Sequence, residues 1–130
     1  MEDNLMKIFK CNLCGKIMYQ LNDVKTPTIC CGEEMVELKA NTTDAATEKH
    51  VPFVTEGEKA GHIMVQVGEV EHPMTEEHSI QWIACEQDNR VTFNYLKPGE
   101  KPVAKFKVKE GVPYTIYEYC NLHGLWKVEK

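Results

Sequence analysis

No stretch of this chain approaches the roughly 18 consecutive apolar residues that a membrane-spanning helix needs, so a membrane protein is not expected. The first ten residues, MEDNLMKIFK, carry acidic side chains and lack the apolar run of a secretory signal. A cytoplasmic location is therefore expected, with thiols kept reduced. There is no block of lysine and arginine, and the formal net charge is −5, which argues against a nucleic-acid partner. A small anion could still be drawn by a local cation. Internal repeats, low-complexity tracts and a long helical stripe are all missing, and the first 38 residues contain no histidine.

What is present is unevenly distributed. Apolar content of 42% with 27% charged residues describes a soluble globular protein. At 130 residues the chain can hold one ordinary domain, or a very small one joined to one of about 90 residues. Four of the six cysteines lie in the first 38 residues, whereas all five histidines and the other two cysteines follow residue 49. This segregation predicts two modules, residues 1–38 and 39–130, each with its own site. Between them "ANTTDAAT", Ala40 to Thr47, suits a linker or a single helical turn begun by Thr43 or Asp44.

The first module is too small to hold itself together without a staple. Cys11-Asn12-Leu13-Cys14-Gly15 is a C-x-x-C-G turn that can point two sulfurs at one centre, and Cys30-Cys31-Gly32 follows after fifteen intervening residues. Four thiolates form a soft tetrahedral donor set that suits zinc or iron and would supply folding energy. Adjacent cysteines are unusual in a zinc ribbon, because neighbouring side chains diverge. A disulfide pair is disfavoured by the reducing location. The arrangement resembles desulforedoxin, a small iron protein with C-x-x-C followed by C-C. That resemblance implies a rubredoxin-like iron centre on Cys11, Cys14, Cys30 and Cys31, capable of one-electron exchange; the residues alone leave zinc open.

In the larger module the apolar pattern has period two. Ile63, Val65 and Val67 alternate with polar or smaller residues, as do Ile80, Trp82 and Ala84, and then Val91, Phe93 and Tyr95. Lys105, Lys107 and Lys109 share one face, opposite Ala104, Phe106 and Val108. With pieces at Phe53–Val54, Tyr114–Tyr119 and Leu125–Glu129, about seven strands are predicted. The expected fold is mainly β: a small metal-binding domain, then an immunoglobulin-like antiparallel β-sandwich.

His50, His72, His78 and His123 fall at strand ends or turns, where loops can gather distant residues at one centre. His62 lies out of phase with Ile63, Val65 and Val67, and reads as a surface residue. Cys120, three residues before His123, is the obvious thiolate to join the imidazoles, and such a mixed set suits iron, copper or zinc. Cys85, at a strand end without ligand spacing, reads as a packing residue or a free thiol, and Trp82 and Trp126 read as core in preference to packing near the ligand loops. A blue-copper-like or rubredoxin-like electron carrier, without catalysis, is the competing function. The blue-copper form expects a methionine soon after Cys-x-x-His; Leu125 to Lys130 contain none.

Together "EKHVP", "EHPM-x3-H-x3-W", "YLKPG" and "YCNLHGLWK" resemble the superoxide reductase family, also called desulfoferrodoxin or neelaredoxin, over nearly the whole chain. The complete N-terminal cysteine set points to the two-iron form. The resemblance implies four equatorial histidines, His50, His72, His78 and His123, around a second iron, with Cys120 axial and one position open. It implies reduction of superoxide to hydrogen peroxide there, with rubredoxin or a similar donor restoring the iron. It further implies that Glu48 can occupy the open position of the oxidised iron, that Lys49 attracts the anion, and that the protein is a homodimer.

Overall fold

The computed structural model describes residues 6–42 and 47–130; the side chains of Thr47 and Glu48 lie outside that description, as do Thr43 and Asp44, the expected starts of a helical turn. The chain forms two compact units, Met1–Lys39 and Ala40–Lys130.

The first unit is built on β1 (Lys7–Lys10), β2 (Ile17–Gln20) and β5 (Val36–Glu37), in the order β2-β1-β5, with a separate hairpin of β3 (Ile29–Cys30) and β4 (Glu33–Glu34). Among the described residues its buried apolar side chains are few, namely Met6, Ile8, Cys11 and Met35. So small a core supports the need for a staple. The β1–β2 connection is a tight knuckle in which the Gly15 N–H donates to the Cys11 carbonyl (2.8 Å) and the Cys11 N–H to the Lys16 carbonyl (2.9 Å). The β3–β4 loop is the two-residue turn Cys31-Gly32, with φ of 55° and 78°. Positive φ at both central residues is the turn whose twist suits a hairpin. It also answers the difficulty of adjacent cysteines, because the left-handed backbone at Cys31 swings its Cβ off the alternation of a strand.

The second unit begins with a helical turn, α1 (Thr47–His50), and continues as seven strands: β6 (Pro52–Glu56), β7 (His62–Val67), β8 (Ile80–Gln87), β9 (Arg90–Tyr95), β10 (Val103–Lys107), β11 (Thr115–Cys120) and β12 (Gly124–Glu129). They form two antiparallel sheets, ordered β10-β7-β6 and β12-β11-β8-β9. One apolar cluster joins them: Ile63, Val65 and Val67 of β7 and Ala104 and Phe106 of β10 meet Ile80, Ile83 and Cys85 of β8 and Ile116 and Cys120 of β11. The antiparallel sandwich and its seven strands agree with the sequence expectation. His62 lies half-buried on the outward face of β7, as its phase requires, and Lys105 and Lys107 are exposed on β10.

The phase of β8 differs from the sequence expectation. Tyr119 pairs with Trp82 but Cys120 pairs with Ile80, so Gln81 is an extra residue and the strand bulges there. Ile80 consequently shares the core face with Ile83 and Cys85, while Trp82 turns to the opposite face. There its ring meets Phe93 edge-on (5.3 Å between centroids) and stacks on Tyr119 (6.1 Å). Residues 82–85 are buried on both faces, which is why the strand reads as a nearly continuous apolar run. The bulge also sets the end of β8 beside Cys120, where the site begins.

Candidate metal centres

Two donor clusters stand out, one in each unit. Cys11, Cys14, Cys30 and Cys31 place their sulfurs within 4.8 Å of one another. The Cys14–Cys30 separation is 3.6 Å and the Cys30–Cys31 separation 3.9 Å, far beyond the roughly 2.05 Å of a disulfide. A tetrahedron with metal–sulfur bonds of about 2.3 Å has edges of about 3.8 Å, so the four sulfurs fit one thiophilic ion. The protons are already unequally shared. The Cys14 N–H, 3.5 Å from the Cys11 sulfur, is the main cause that lowers the Cys11 thiol to about 6. Hydrogen bonding to Cys11 pushes Cys30 up to about 12, and contact with Cys14 raises Cys31.

The second cluster is assembled at one end of the sandwich from four pieces of chain. His50 ends α1; His72 and His78 lie in the connection from β7 to β8; Cys120 closes β11; and His123 sits in the turn before β12. All five donor atoms lie within 4.8 Å of one another. The imidazoles form a ring in the order His50, His72, His78, His123. Neighbouring centroids are 4.7, 4.6, 5.0 and 4.8 Å apart, with planes nearly perpendicular. Across the ring His50 and His78 are 6.4 Å apart and nearly parallel, as the diagonal of a square demands.

The nitrogens converge. His50 Nε2 is 3.0 Å from His123 Nδ1 and 3.2 Å from His72 Nε2. Around a square with metal–nitrogen bonds of about 2.1 Å, adjacent nitrogens lie about 3.0 Å apart. His72 Nδ1 is 2.7 Å from the Pro73 carbonyl, so it carries the proton and leaves the Nε2 lone pair facing the centre. His78 Nε2 is buried and has no hydrogen-bond partner. Lone pairs aimed at each other repel unless a cation lies among them, so the residues fit a metal ion.

Local electrostatics favour the metal over protons. Burial lowers the His72 imidazole to about 4 and is also the main cause that lowers His78, to which His123, His50 and Lys49 add. Lys49 itself is exposed. Burial raises the Cys120 thiol, which is fully buried, while the N–H groups of Leu122 and His123 pull the other way by bonding its sulfur. The Cys120 sulfur lies 4.0 Å from His123 Nδ1. His50 and His72 are buried, whereas His78 and His123 are half-buried, so solvent approaches from the side of His78, His123 and Lys49.

Two residues at this site escape the sequence reading. Trp126 is not simply core: its ring stacks on His50 (5.1 Å, 26°) and its indole N–H donates to the His123 carbonyl (3.0 Å). Glu118, two residues before Cys120, is completely buried with neither carboxylate oxygen partnered, and burial raises its pKa well above the usual range. The pairings of β11 place it between Ile83 and Trp126. A signal for Trp126 was its offset of three from His123; Glu118 offered none, since a glutamate on a strand is ordinarily solvated. Cys85 is buried among apolar residues, and burial pushes its thiol up to about 11.

A four-sulfur cluster on a small sheet, followed by a four-imidazole, one-thiol cluster on a β-sandwich, defines a protein with two metal centres. The family model described as desulfoferrodoxin matches residues 42–129, and the one described as desulfoferrodoxin, N-terminal domain, matches residues 3–38. The chain belongs to the desulfoferrodoxin family. It is 44% identical over 124 residues to a desulfoferrodoxin of Syntrophotalea carbinolica, covering 95% of this chain and 96% of that one. A superoxide reductase of Thermococcus kodakarensis is 38% identical over 113 residues, spanning 73% of this chain and 96% of its own. Among solved structures, the superoxide reductase of Treponema pallidum superposes with a TM-score of 0.74 at 29% identity, over 95% of this chain and 98% of its own.

Proposed function

We propose that the protein is a superoxide reductase, in which residues 39–130 carry the reaction and residues 1–38 hold an accessory iron. The observation that carries this reading is the square of four imidazoles around converging lone pairs, with the buried Cys120 thiol within 4.8 Å of their donor atoms. His50, His72, His78, His123 and Cys120 would hold iron there. Bound ferrous iron would supply the single electron that, with two protons, converts superoxide to hydrogen peroxide.

The chain's own residues do the rest. Cys120, once deprotonated, would donate electron density to a bound metal, and the Leu122 and His123 N–H groups would steady that charge. Lys49 gathers the anionic substrate at the solvent side, against the repulsion of a protein of net charge −5. Glu48, whose side chain lies outside the described residues, would cover the site in its oxidised state. Trp126 fixes His50 by stacking and excludes water behind it.

One electron is consumed per turnover, so an external one-electron donor of rubredoxin type restores the site. Cys11, Cys14, Cys30 and Cys31 would also hold iron, in a set whose spacing accepts zinc equally well. All six cysteines are free, in keeping with a reducing cytoplasm. Leu13, Leu21, Ile29 and Val36 expose apolar surface on the small unit, which supports a homodimer.

Metal analysis should find two irons per chain. Cys120→Ser should lose both the thiolate-to-iron absorption and most turnover with superoxide. A variant that keeps both would sink the assignment.

A further inference from the structure

Asn121 stands in the turn between Cys120 and His123, and its three hydrogen bonds reach more than forty residues back along the chain. Its backbone N–H donates to the Ser79 carbonyl (3.2 Å), its Oδ1 accepts from the Ser79 N–H (3.0 Å) and its Nδ2 donates to the Glu77 carbonyl (2.9 Å). Glu77 and Ser79 are the residues on either side of His78. One side chain thus brackets one member of the histidine square from the turn that carries another member and the thiol.

The remaining bonds at His78 are local. The Thr75 N–H donates to the His78 carbonyl (2.9 Å), and the His78 N–H donates to Thr75 Oγ1 (3.1 Å). These close a turn but do not say where that turn sits in the protein. His50 and His123 are steadied by Trp126, and His72 by its own N–H to Val67 and its Nδ1–H to Pro73. For His78, half-buried and with an unpartnered Nε2, the long-range backbone anchors among the described residues are the bonds of its two neighbours to Asn121.

We propose that Asn121 is a positioning residue for the five-donor centre, setting the place of His78 relative to Cys120 and His123 and so governing how tightly that centre holds its metal. An amide suits the task because it needs to donate to one carbonyl and accept from one N–H at the same time. Aspartate could keep only the acceptor half. Groups that orient metal-ligating side chains typically alter metal affinity by about 10- to 100-fold when removed. The inference rests on the metal-site reading above.

The test uses the full-length chain and ferrous iron under anaerobic conditions, with affinity read by chelator competition. The natural chain should take up two irons. Asn121→Ala should bind the four-cysteine iron unchanged and the second iron about 10- to 100-fold more weakly. Asn121→Asp should fall between them. In oxidised samples the thiolate-to-iron band of Asn121→Ala should shift in position while Cys120 is intact, and the Ser79 amide should exchange faster with solvent. Equal affinity and an unmoved band in Asn121→Ala would overturn the proposal. So would a weakened site in which aspartate rescues nothing and the metal-free variant loses stability to the same degree, because that pattern is general destabilisation. Failure of the natural chain to bind a second iron would instead overturn the metal-site reading itself, and this proposal with it.

Discussion

Lys49→Ala should slow the reaction with superoxide about fivefold, and the reasoning can be followed from the structure. Lys49 immediately precedes His50, is exposed, and its charge acts on His78, so a cation stands near the histidine square. Taking about 6 Å to a bound monoanion and an effective dielectric constant of about 50, the attraction is about 1 kcal/mol. That corresponds to roughly a fivefold change in the second-order rate constant. The salt dependence separates this local term from the field of the whole protein. A net charge of −5 repels superoxide, so added salt alone should speed the encounter. If Lys49 dominates at short range, salt should slow the natural protein, and the slope should flatten or reverse in Lys49→Ala. Lys49→Arg should keep both rate and slope. Pulse radiolysis of the reduced protein at several ionic strengths measures both quantities. An alanine variant with an unchanged rate and an unchanged slope would refute the steering argument.

Trp126→Phe should destabilise the metal-free protein by about 1–2 kcal/mol, combining a lost hydrogen bond to the His123 carbonyl with the smaller ring beside His50, read as a shifted urea midpoint at constant slope. An unchanged midpoint would mean the stack and the bond contribute nothing. Cys85 holds its proton to about 11 when folded and to about 9.0 otherwise, so the natural protein should lose about 2 kcal/mol between those pH values that Cys85→Ala does not lose. The sign follows from the unfolded chain releasing the proton first, which favours unfolding as pH rises. At neutral pH the same thiol should alkylate about 100-fold more slowly than an unperturbed one, and a normal rate would show the burial to be illusory.

The fold and both donor sets were legible because each rests on a local signal that tertiary context does not reverse. Period-two alternation marked the strands, and Cys-x-x-Cys, Cys-Cys and Cys-x-x-His marked the donors. What stayed hidden depends on long-range pairing. The bulge at Gln81 follows from how β8 meets β11 and inverts the faces of Ile80 and Trp82 relative to simple alternation. Burial of Glu118 depends on the same ladder, since period two gives its face but not whether that face is wet. Trp126 looked like core because stacking on an imidazole and packing in a core use the same residue type. Nothing local in the sequence singles out Asn121, because its partners lie 42 and 44 positions away.

The two centres also differ in how they compete with protons. At neutral pH His72, lowered to about 4, is already neutral and burial lowers His78 as well, whereas the buried Cys120 thiol holds a proton that a metal must displace. In the four-cysteine set, Cys11 at about 6 has largely ionised, but Cys30 near 12 and Cys31 above its ordinary value still hold theirs. At least two protons must therefore leave that cluster when a metal is bound. Metal affinity falls with acidity in proportion to the protons released, so the four-cysteine centre should weaken by at least about 100-fold per pH unit below neutrality. A release of at least two protons should be measurable when that centre is loaded in weakly buffered solution. Release of one or none would mean that the unequal sharing of protons among the four thiols is not what the metal meets.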